Sequence, residues 1–228
     1  RRSSDLHDGD LDLFVGGRNI PFQYPKATNS RLFENVSKSG QIQFKDVTSS
    51  KAPELLNVGL ICDAVVADVD GDKWEDLIIA GEYTAVQVYK NSKGKFAQQK
   101  ETGIEKILGL WTSVQSADLD KDGDVDFVAG NMGENTLLKA SSDHPVDVVH
   151  GDLDGNGIYD VFPFVHFVNE KGAFDSYPLH GKDDVNKMLI TTKKRWVYFK
   201  EYGKSTQETF FTEEEKKKST KSSFNLNS

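Results

Sequence analysis

Residues 118–130 read DLDKDGDVDFVAG, and residues 68–81 read DVDGDKWEDLIIAG. Two further segments follow the same pattern, DGDLDLFVG at residues 8–16 and DLDGNGIYDVF at residues 152–162. In each of them an Asp-rich loop runs directly into a short apolar segment. Self-similarity of this kind is the sequence signature of a repeat architecture, in which each copy forms one supersecondary unit.

Each copy is surrounded by segments that read as short β-strands. A β-prone run precedes the loop at residues 64–67, 113–117 and 146–150, and an apolar run follows it. After the second loop, residues 85–90 and 95–99 alternate like two more strands joined by a turn at 91–94, and residues 30–34 and 43–47 match them after the first loop. Four short antiparallel strands per copy is the composition of a propeller blade.

The spacing of the copies sets the predicted domain organisation. The last Asp residues of the four loops, Asp12, Asp76, Asp126 and Asp160, are 64, 50 and 34 residues apart. The last interval is too short for four strands, and the first copy begins at its loop, which leaves no room for a leading strand. We therefore predict an all-β fold: a β-propeller-like array of about three and a half four-stranded blades over residues 1–180.

Such an array would have unpaired sheet edges, which are an aggregation hazard. We expect a partial propeller that is a fragment of a longer chain, or one whose edges pair with another chain. The helical spacing of Val185, Met188 and Leu189 predicts a short helical segment over residues 181–212, inserted between blades. Residues 213–228 are predicted to be a charged polar tail in which a solvated helix end frays.

The acidic loops have the residue types that calcium prefers. Ca²⁺ takes six to eight oxygen ligands, and a loop that coils back on itself turns the side chains at positions 1, 3, 5 and 9 inward, while position 7 contributes its carbonyl group. Glycine at position 6, as at Gly123 and Gly157, suits the sharp turn. The predicted ligands are Asp68, Asp70, Asp72, Trp74 and Asp76 in the second loop, Asp118, Asp120, Asp122, Asp124 and Asp126 in the third, and Asp152, Asp154, Asn156, Ile158 and Asp160 in the fourth.

The first loop matches only in its second half. Asp8, Asp10 and Asp12 fit, but Ser4 and Leu6 stand where the first two carboxylates belong. We therefore expect about three calcium sites and a fourth, degenerate one. Acidic surface turns are the alternative interpretation, because Asp and Gly are common in turns; three loops in the same register favour calcium.

An EF-hand is excluded by the same loops. Its loop requires a bidentate Glu at position 12 between two helices. Here Ile79, Ala129 and Pro163 occupy that position, and the flanking segments are β-like.

The loop followed by an apolar strand and glycine resembles the FG-GAP/VCBS repeat of integrin α-chain propellers and bacterial surface proteins. Residues 10–18, 130–136, 151–157, 177–179 and 182–202 are similar to the bacterial group that often carries an ASPIC/UnbV module. The resemblance implies a β-propeller with calcium in its blade loops, an extracellular or outer-membrane-surface location, and a binding or scaffolding role, often as an accessory to a nutrient-capture complex.

Composition and motifs disfavour nucleic-acid binding, membrane spanning and catalysis. A net charge of −8 disfavours nucleic acid as a partner, and no apolar run is long enough for a membrane-spanning helix. The chain has no Gly-x-Ser-x-Gly, His-Glu-x-x-His or phosphate-loop motif, and its five histidines are dispersed, so we predict that it is not an enzyme.

The expected partner is a protein or glycan at the cell surface. Carbohydrate recognition is the alternative function, as a lectin-like propeller or a non-catalytic part of a polysaccharide-degrading enzyme, through Trp74, Tyr83, Trp111 and Tyr159.

Overall fold

The structure is a computed structural model that describes residues 2–4, 9–133, 136, 138 and 140–226. Among the described residues, strands account for 39% and helices for 16%, and the strands form three antiparallel sheets. This composition confirms the predicted all-β class. The number of blades and their arrangement in a partial propeller stay predictions.

By its internal contacts the chain divides into two units, residues 1–20 with 26–132, and residues 21–25 with 133–228.

The first sheet is a four-stranded antiparallel meander. Its strands pair in the order β1-β2-β3-β4. They are β1 (Arg2–Ser4), β2 (Asp12–Val15), β3 (Arg31–Asn35) and β4 (Phe44–Asp46). The prediction that the first copy lacks a leading strand is therefore wrong. Arg2 pairs with Phe14 and Ser4 with Asp12, so main-chain pairing forms a strand where the sequence has no apolar alternation. A short helix, α1 (Thr48–Lys51), and a 3-10 turn at Pro53–Leu55 follow the sheet.

The second sheet contains a complete four-stranded meander and a further hairpin. The meander consists of β5 (Leu60–Ala67), β6 (Asp76–Thr84), β7 (Gln87–Ser92) and β8 (Lys95–Gln98). The hairpin consists of β9 (Gly109–Ala117) and β10 (Asp126–Asn131), and it joins the sheet where the start of β9 pairs with the end of β6. Among the described residues between 131 and 146 there is no further strand, in agreement with the short interval after Asp126.

Strand β6 is buried on both faces, which explains its continuous apolar sequence. Leu77 and Ile79 pack into one core with Phe14 and Leu32 of the first sheet. Ile78 and Ala80 point to the opposite face and belong to a second core with Val114, among others. Because successive side chains of a strand alternate between faces, a strand between two cores needs apolar residues at every position.

The third sheet has a different strand order from the meander. It runs β13-β12-β11-β14, so the last strand of the chain pairs with the first strand of the sheet. The strands are β11 (Val146–Gly151), β12 (Asp160–Val168), β13 (Phe174–Pro178) and β14 (Thr220–Phe224).

Five short helices lie between β13 and β14. They are α2 (Lys182–Met188), α3 (Thr192–Arg195), α4 (Phe199–Tyr202), α5 (Gln207–Phe210) and α6 (Glu213–Lys218). They share one core with the sheet, in which Val185, Trp196 and Phe210 pack with Phe162 and Phe164 of β12. Helices this short are marginal alone, so this burial is what stabilises them.

Residues 213–226 differ from the charged polar tail predicted over 213–228. Helix α6 begins at a capping box in which the Glu215 N–H donates to Thr212 Oγ1 and the Thr212 N–H donates to Glu215. Glu215 is buried and accepts both Nη2 hydrogen bonds of Arg195, at 2.8 and 2.9 Å. Strand β14 then buries Phe224, and Leu226 follows it into the interior. A second capping box, formed by Thr206 and Thr209, begins helix α5.

Candidate metal centre in the acidic loops

Each acidic loop connects the first two strands of its repeat. Residues 68–75 lie between β5 and β6, residues 118–125 between β9 and β10, and residues 152–159 between β11 and β12. Strands flank all three loops, which confirms that they are not EF-hands. Because position 9 of each loop is the first residue of the following strand, the sheet fixes the carboxylate at that position.

The three loops share a backbone shape with two left-handed residues. Position 6 has φ values of 71° at Lys73, 96° at Gly123 and 85° at Gly157. Position 4 is also left-handed, at Gly71, Lys121 and Gly155. The sharp turn predicted at position 6 is therefore present in all three loops, and Lys73 adopts the same left-handed conformation as the two glycines. The second loop, whose glycine is displaced to position 4, has the same shape as the others.

The carboxylate at position 9 accepts a hydrogen bond from the backbone at the start of its own loop. The backbone N–H at position 2 donates to Oδ2 of this Asp in every loop, from Val69 to Asp76 at 3.0 Å, from Leu119 to Asp126 at 2.9 Å and from Leu153 to Asp160 at 3.3 Å. In the second repeat the other oxygen, Oδ1 of Asp76, accepts from the N–H of Asn91 in β7 at 2.7 Å. Asp76 and Asp160 are buried.

Asp12 repeats this arrangement in the first repeat. The Asn35 N–H donates to its Oδ1 at 2.8 Å, as the Asn91 N–H does to Asp76. Both asparagines also donate through Nδ2 to the carbonyl group preceding the Asp, at Leu11 and Glu75. The sequence indicates that Asn35 and Asn91 occupy equivalent places, because residues 32–35 (LFEN) and 88–91 (VYKN) match. Asp8 lies outside the described residues, so the metal-binding capacity of the first loop stays a prediction.

The remaining side chains hold the loop in its coil by repeated short-range hydrogen bonds. Position 3 accepts from the N–H of position 5, as Asp120 does from Asp122 at 3.2 Å. Position 5 accepts from the N–H of position 7, at 2.9 Å for Asp72 and Trp74 and at 2.7 Å for Asn156 and Ile158. These bonds use part of the oxygen lone pairs and hold the side chains against the backbone of their own loop.

Two of the loops bring three carboxylates together. Oxygens of Asp68, Asp70 and Asp76 lie within 4.8 Å of one another, and so do oxygens of Asp118, Asp120 and Asp126. The members occupy positions 1, 3 and 9 in both loops. Position 5, Asp72 or Asp122, is not part of either group, and within residues 140–226 the carboxylates of the fourth loop do not form one. The backbone carbonyl groups predicted as ligands, at Trp74, Asp124 and Ile158, stay predictions.

Burial and mutual repulsion make negative charge costly in these loops. Burial, followed by the charges of Asp154 and Asp152, raises the pKa of Asp160 to about 6. Burial is also the main cause that raises the pKa of Asp76, with Asp72 and Asp68 adding to it. The pKa of the exposed Asp124 is raised by its hydrogen bond with Asp122 and by that neighbour's charge. A bound cation would remove this cost.

The second loop already contains a positive charge from the protein. Lys90 of β7 forms an ion pair with Asp70, and its ammonium nitrogen lies 4.0 Å from Oδ2 of Asp72. A cavity of about 390 Å³ beside the loop is lined by Lys90 and Asp70 together with Val88, Ile104 and Phe127. The role of Lys90 could not be predicted from the sequence, because no local motif links this residue to a loop that ends fourteen residues earlier, at Asp76.

The aromatic residues proposed for sugar stacking differ in exposure. Trp111 is buried in the core and donates through Nε1 to the Ile107 carbonyl group at 3.2 Å. Trp74, Tyr83 and Tyr159 are partly exposed. The prediction for Trp111 is therefore wrong, since a stacking platform requires an accessible ring face.

Comparison with known proteins agrees with the repeat interpretation over part of the chain. Residues 68–129 match the family model described as FG-GAP-like repeat. The match begins at the first carboxylate of the second loop and ends within β10, so it contains both groups of converging carboxylates. No curated protein and no solved structure shows significant similarity to the chain. An association with ASPIC/UnbV proteins has no support from these comparisons. The chain thus contains an FG-GAP-like repeat at residues 68–129, within a β-rich fold of three antiparallel sheets.

Proposed function

We propose that the chain is a calcium-binding, β-propeller-like binding module whose metal sites are structural. One observation carries the proposal: the carboxylates at positions 1, 3 and 9 converge in the same way in two loops that are 50 residues apart. A single acidic turn has no reason to place three carboxylates together, and a repeated arrangement in the same register indicates a shared ligand. Hard carboxylate oxygens in a flexible loop suit Ca²⁺.

The proposed calcium stabilises the connection between the first two strands of each repeat. When free calcium is about 100 times the dissociation constant, one site stabilises a fold by about 2.7 kcal/mol. Two or three sites would therefore supply a substantial part of the stability of a domain, which is usually about 5–15 kcal/mol. The other loops and sheet edges remain available for a partner.

The biological context follows from the resemblance of the repeats. We infer a location outside the cell or at the outer-membrane surface, with a protein or glycan partner, in a scaffolding role that is accessory to a nutrient-capture complex. Among the described residues, no helix has the length and apolar character needed to cross a membrane. The proposed role is binding and not catalysis, since the sequence has no Gly-x-Ser-x-Gly, His-Glu-x-x-His or phosphate-loop motif.

Carbohydrate recognition is the second candidate. It is favoured by the partial exposure of Trp74, Tyr83 and Tyr159. A glycan array with the calcium-loaded protein separates this function from protein binding, and loss of a glycan signal on replacing Trp74 with Ala would support it.

The decisive experiment for calcium is thermal unfolding with calcium titrated back after chelation, together with isothermal titration calorimetry. We expect the melting temperature to rise by several degrees, and Asp118→Asn or Asp126→Asn to remove part of this rise. Asp183→Asn, an exposed carboxylate outside the loops, is the matched control and should keep the full rise. A protein whose melting temperature and titration heat do not respond to calcium would refute the proposal.

A further inference from the structure

The second unit contains a positively charged segment in an acidic protein. The chain as a whole has 28 basic and 36 acidic side chains, whereas residues 182–204 have seven basic and three acidic ones. Most of these charges lie on α3, on α4 and around the bend at residues 197–198 that connects them. We call the exposed side chains of residues 193–204 the α3–α4 surface.

Three consecutive large residues are exposed at the centre of this surface. The exposed fractions are 62% for Val197, 68% for Tyr198 and 65% for Phe199. Isolated exposed apolar residues are common, but a run of three marks a surface that meets an apolar partner.

The bend that presents these residues is anchored to the core. Trp196 and Tyr202, on either side of it, are buried and their ring centroids are 5.3 Å apart in an edge-to-face contact. The Tyr202 hydroxyl group donates to the His180 carbonyl group at 2.5 Å, and the Tyr198 N–H donates to Glu201 at 3.2 Å. The exposed side chains therefore project from a fixed backbone and do not belong to a frayed end.

Lysines around the bend have no internal partner. In the described part of the chain, no ion pair involves Lys193, Lys194, Lys200 or Lys204, and all four are exposed. The only arginine of the segment, Arg195, is used internally by Glu215. Lys182 adds a further charge, because its ammonium nitrogen lies 4.8 Å from the centroid of the Phe199 ring.

We propose that the α3–α4 surface docks onto an anionic lipid bilayer. Val197 and Phe199 would enter the boundary between head groups and acyl chains, Tyr198 would lie at the interface, and the lysines would contact lipid phosphates. Anionic lipids attract each nearby Lys or Arg with about 1 kcal/mol, or about fivefold in affinity.

The residue types favour a bilayer over an acidic protein. Specific protein interfaces favour arginine, whose planar group binds carboxylates in a bidentate geometry, whereas lysine acts as a mobile point charge that suits a diffuse layer of phosphates. All of the free cations here are lysines. The nearby acidic residue Asp184 is paired with Lys187 at 3.0 Å, which reduces its repulsion of an anionic surface.

The test uses the whole chain with vesicles of phosphatidylcholine, with and without phosphatidylglycerol, in a flotation assay at constant salt and calcium. One variant replaces Lys193, Lys194, Lys200 and Lys204 with Gln, and a second combines Tyr198→Ser with Phe199→Ser. The matched control replaces four exposed lysines of the first unit, Lys38, Lys45, Lys95 and Lys106, with Gln, which changes the net charge equally. Circular dichroism and the melting temperature establish that each variant is folded.

We expect the wild-type chain and the control to bind only the vesicles with phosphatidylglycerol. The four-lysine variant should lose about 100-fold or more in affinity, and the aromatic variant about tenfold. Absence of binding to anionic vesicles, or an equal loss in the control, would overturn the proposal. So would binding that depends on Asp122 but not on the lysines, because calcium would then bridge the loops to lipid. Binding of polyglutamate without binding of vesicles would assign the surface to an acidic protein.

Discussion

The ammonium group of Lys90 is paired with the carboxylate of Asp70, at one of the three positions whose oxygens converge in the second loop. In the first repeat the corresponding residue is Glu34, an acidic residue that is paired with Lys51. The second loop therefore contains its own counter-ion, and a metal ion must compete with it.

Replacing Lys90 should strengthen calcium binding at the second loop. Both members of the ion pair are about one-third exposed, so solvent screens their attraction, and we expect Lys90→Gln to raise the affinity of this loop by about tenfold. Calorimetric titration of the Asp122→Ala background, in which the third loop is weakened, measures this site more directly. Lys95→Gln, which removes a charge from the neighbouring strand β8, should leave the affinity nearly unchanged. Equal affinity in the Lys90 and Lys95 variants would contradict the competition.

Replacing Asp76 and replacing Asp122 should change the free energy of unfolding in ways that depend differently on calcium. The two oxygens of Asp76 accept the N–H groups of Asn91 and Val69 inside the fold, so Asp76→Ala leaves two donors without partners. We expect a loss of about 2–3 kcal/mol in the free energy of unfolding even with chelator, and a larger loss with calcium, because Asp76 is also one of the three converging carboxylates. Asp122 is exposed and is hydrogen-bonded to its near neighbour Asp124 within the same exposed loop, so Asp122→Ala should be costly only in the presence of calcium. Urea unfolding of both variants under both conditions checks this difference.

The Glu215–Arg195 pair should make the stability depend on pH on the acidic side. Burial alone would raise the pKa of Glu215, but hydrogen bonds from Arg195 and Thr212 outweigh burial and hold the pKa below its usual value of 4.5. A lowered pKa in the folded state means that the stabilisation is present above the unfolded-state pKa and is lost as the pH falls through the folded-state pKa.

We therefore expect Glu215→Gln to cost about 2 kcal/mol at neutral pH and progressively less as the pH falls below about 4. Chemical unfolding as a function of pH measures the difference between variant and wild type. Glu214→Gln, on the exposed side of the same helix, is the control and should change little at any pH. A constant difference across the acidic range would show that ionisation of Glu215 is not the source of its stabilising effect.

Glycine should be favourable at Lys73. This residue has φ of 71°, a conformation that costs residues with a side chain about 1 kcal/mol or more. The greater freedom of glycine in the unfolded chain offsets part of the gain, so Lys73→Gly should stabilise the protein by up to about 1 kcal/mol. Lys95→Gly, within a regular strand, should instead destabilise it by about 1 kcal/mol. Melting temperatures of the two variants at saturating calcium give the comparison.

The features that the sequence predicts well are those encoded over a few residues. The Asp spacing of the loops, the apolar run Leu77–Ala80 and the alternation of residues 85–90 are each local patterns. The structure places the Asp loops between paired strands, Leu77–Ala80 within β6, and residues 87–90 within β7. Strand β1 was missed because Arg2–Ser4 has no apolar residue and forms only by pairing with β2.

Features that depend on distant partners could not be predicted. Residues 213–218 (EEEKKK) have no apolar residue, so the burial of Glu215 against Arg195 cannot be seen locally. The pairing of Lys90 with Asp70 depends on the register of β7 in the sheet. Exposure of Phe199 next to the buried Trp196 depends on the path of the chain through the bend, because both residues are apolar in sequence.

The pairing of β14 with β11 has a consequence for how the second unit folds. Asp147 of β11 receives hydrogen bonds from Lys221 Nζ and Ser223 Oγ of β14, so strands more than 70 residues apart in sequence complete one sheet. The five helices lie within the chain segment that this pairing closes, and the helices and the sheet share a core. Closing so long a segment costs conformational entropy, and this cost is offset only when the helices pack into the shared core. We expect sheet and helices to form in one cooperative step, so that removing β14 would expose the helical core to proteolysis as well as the sheet edge.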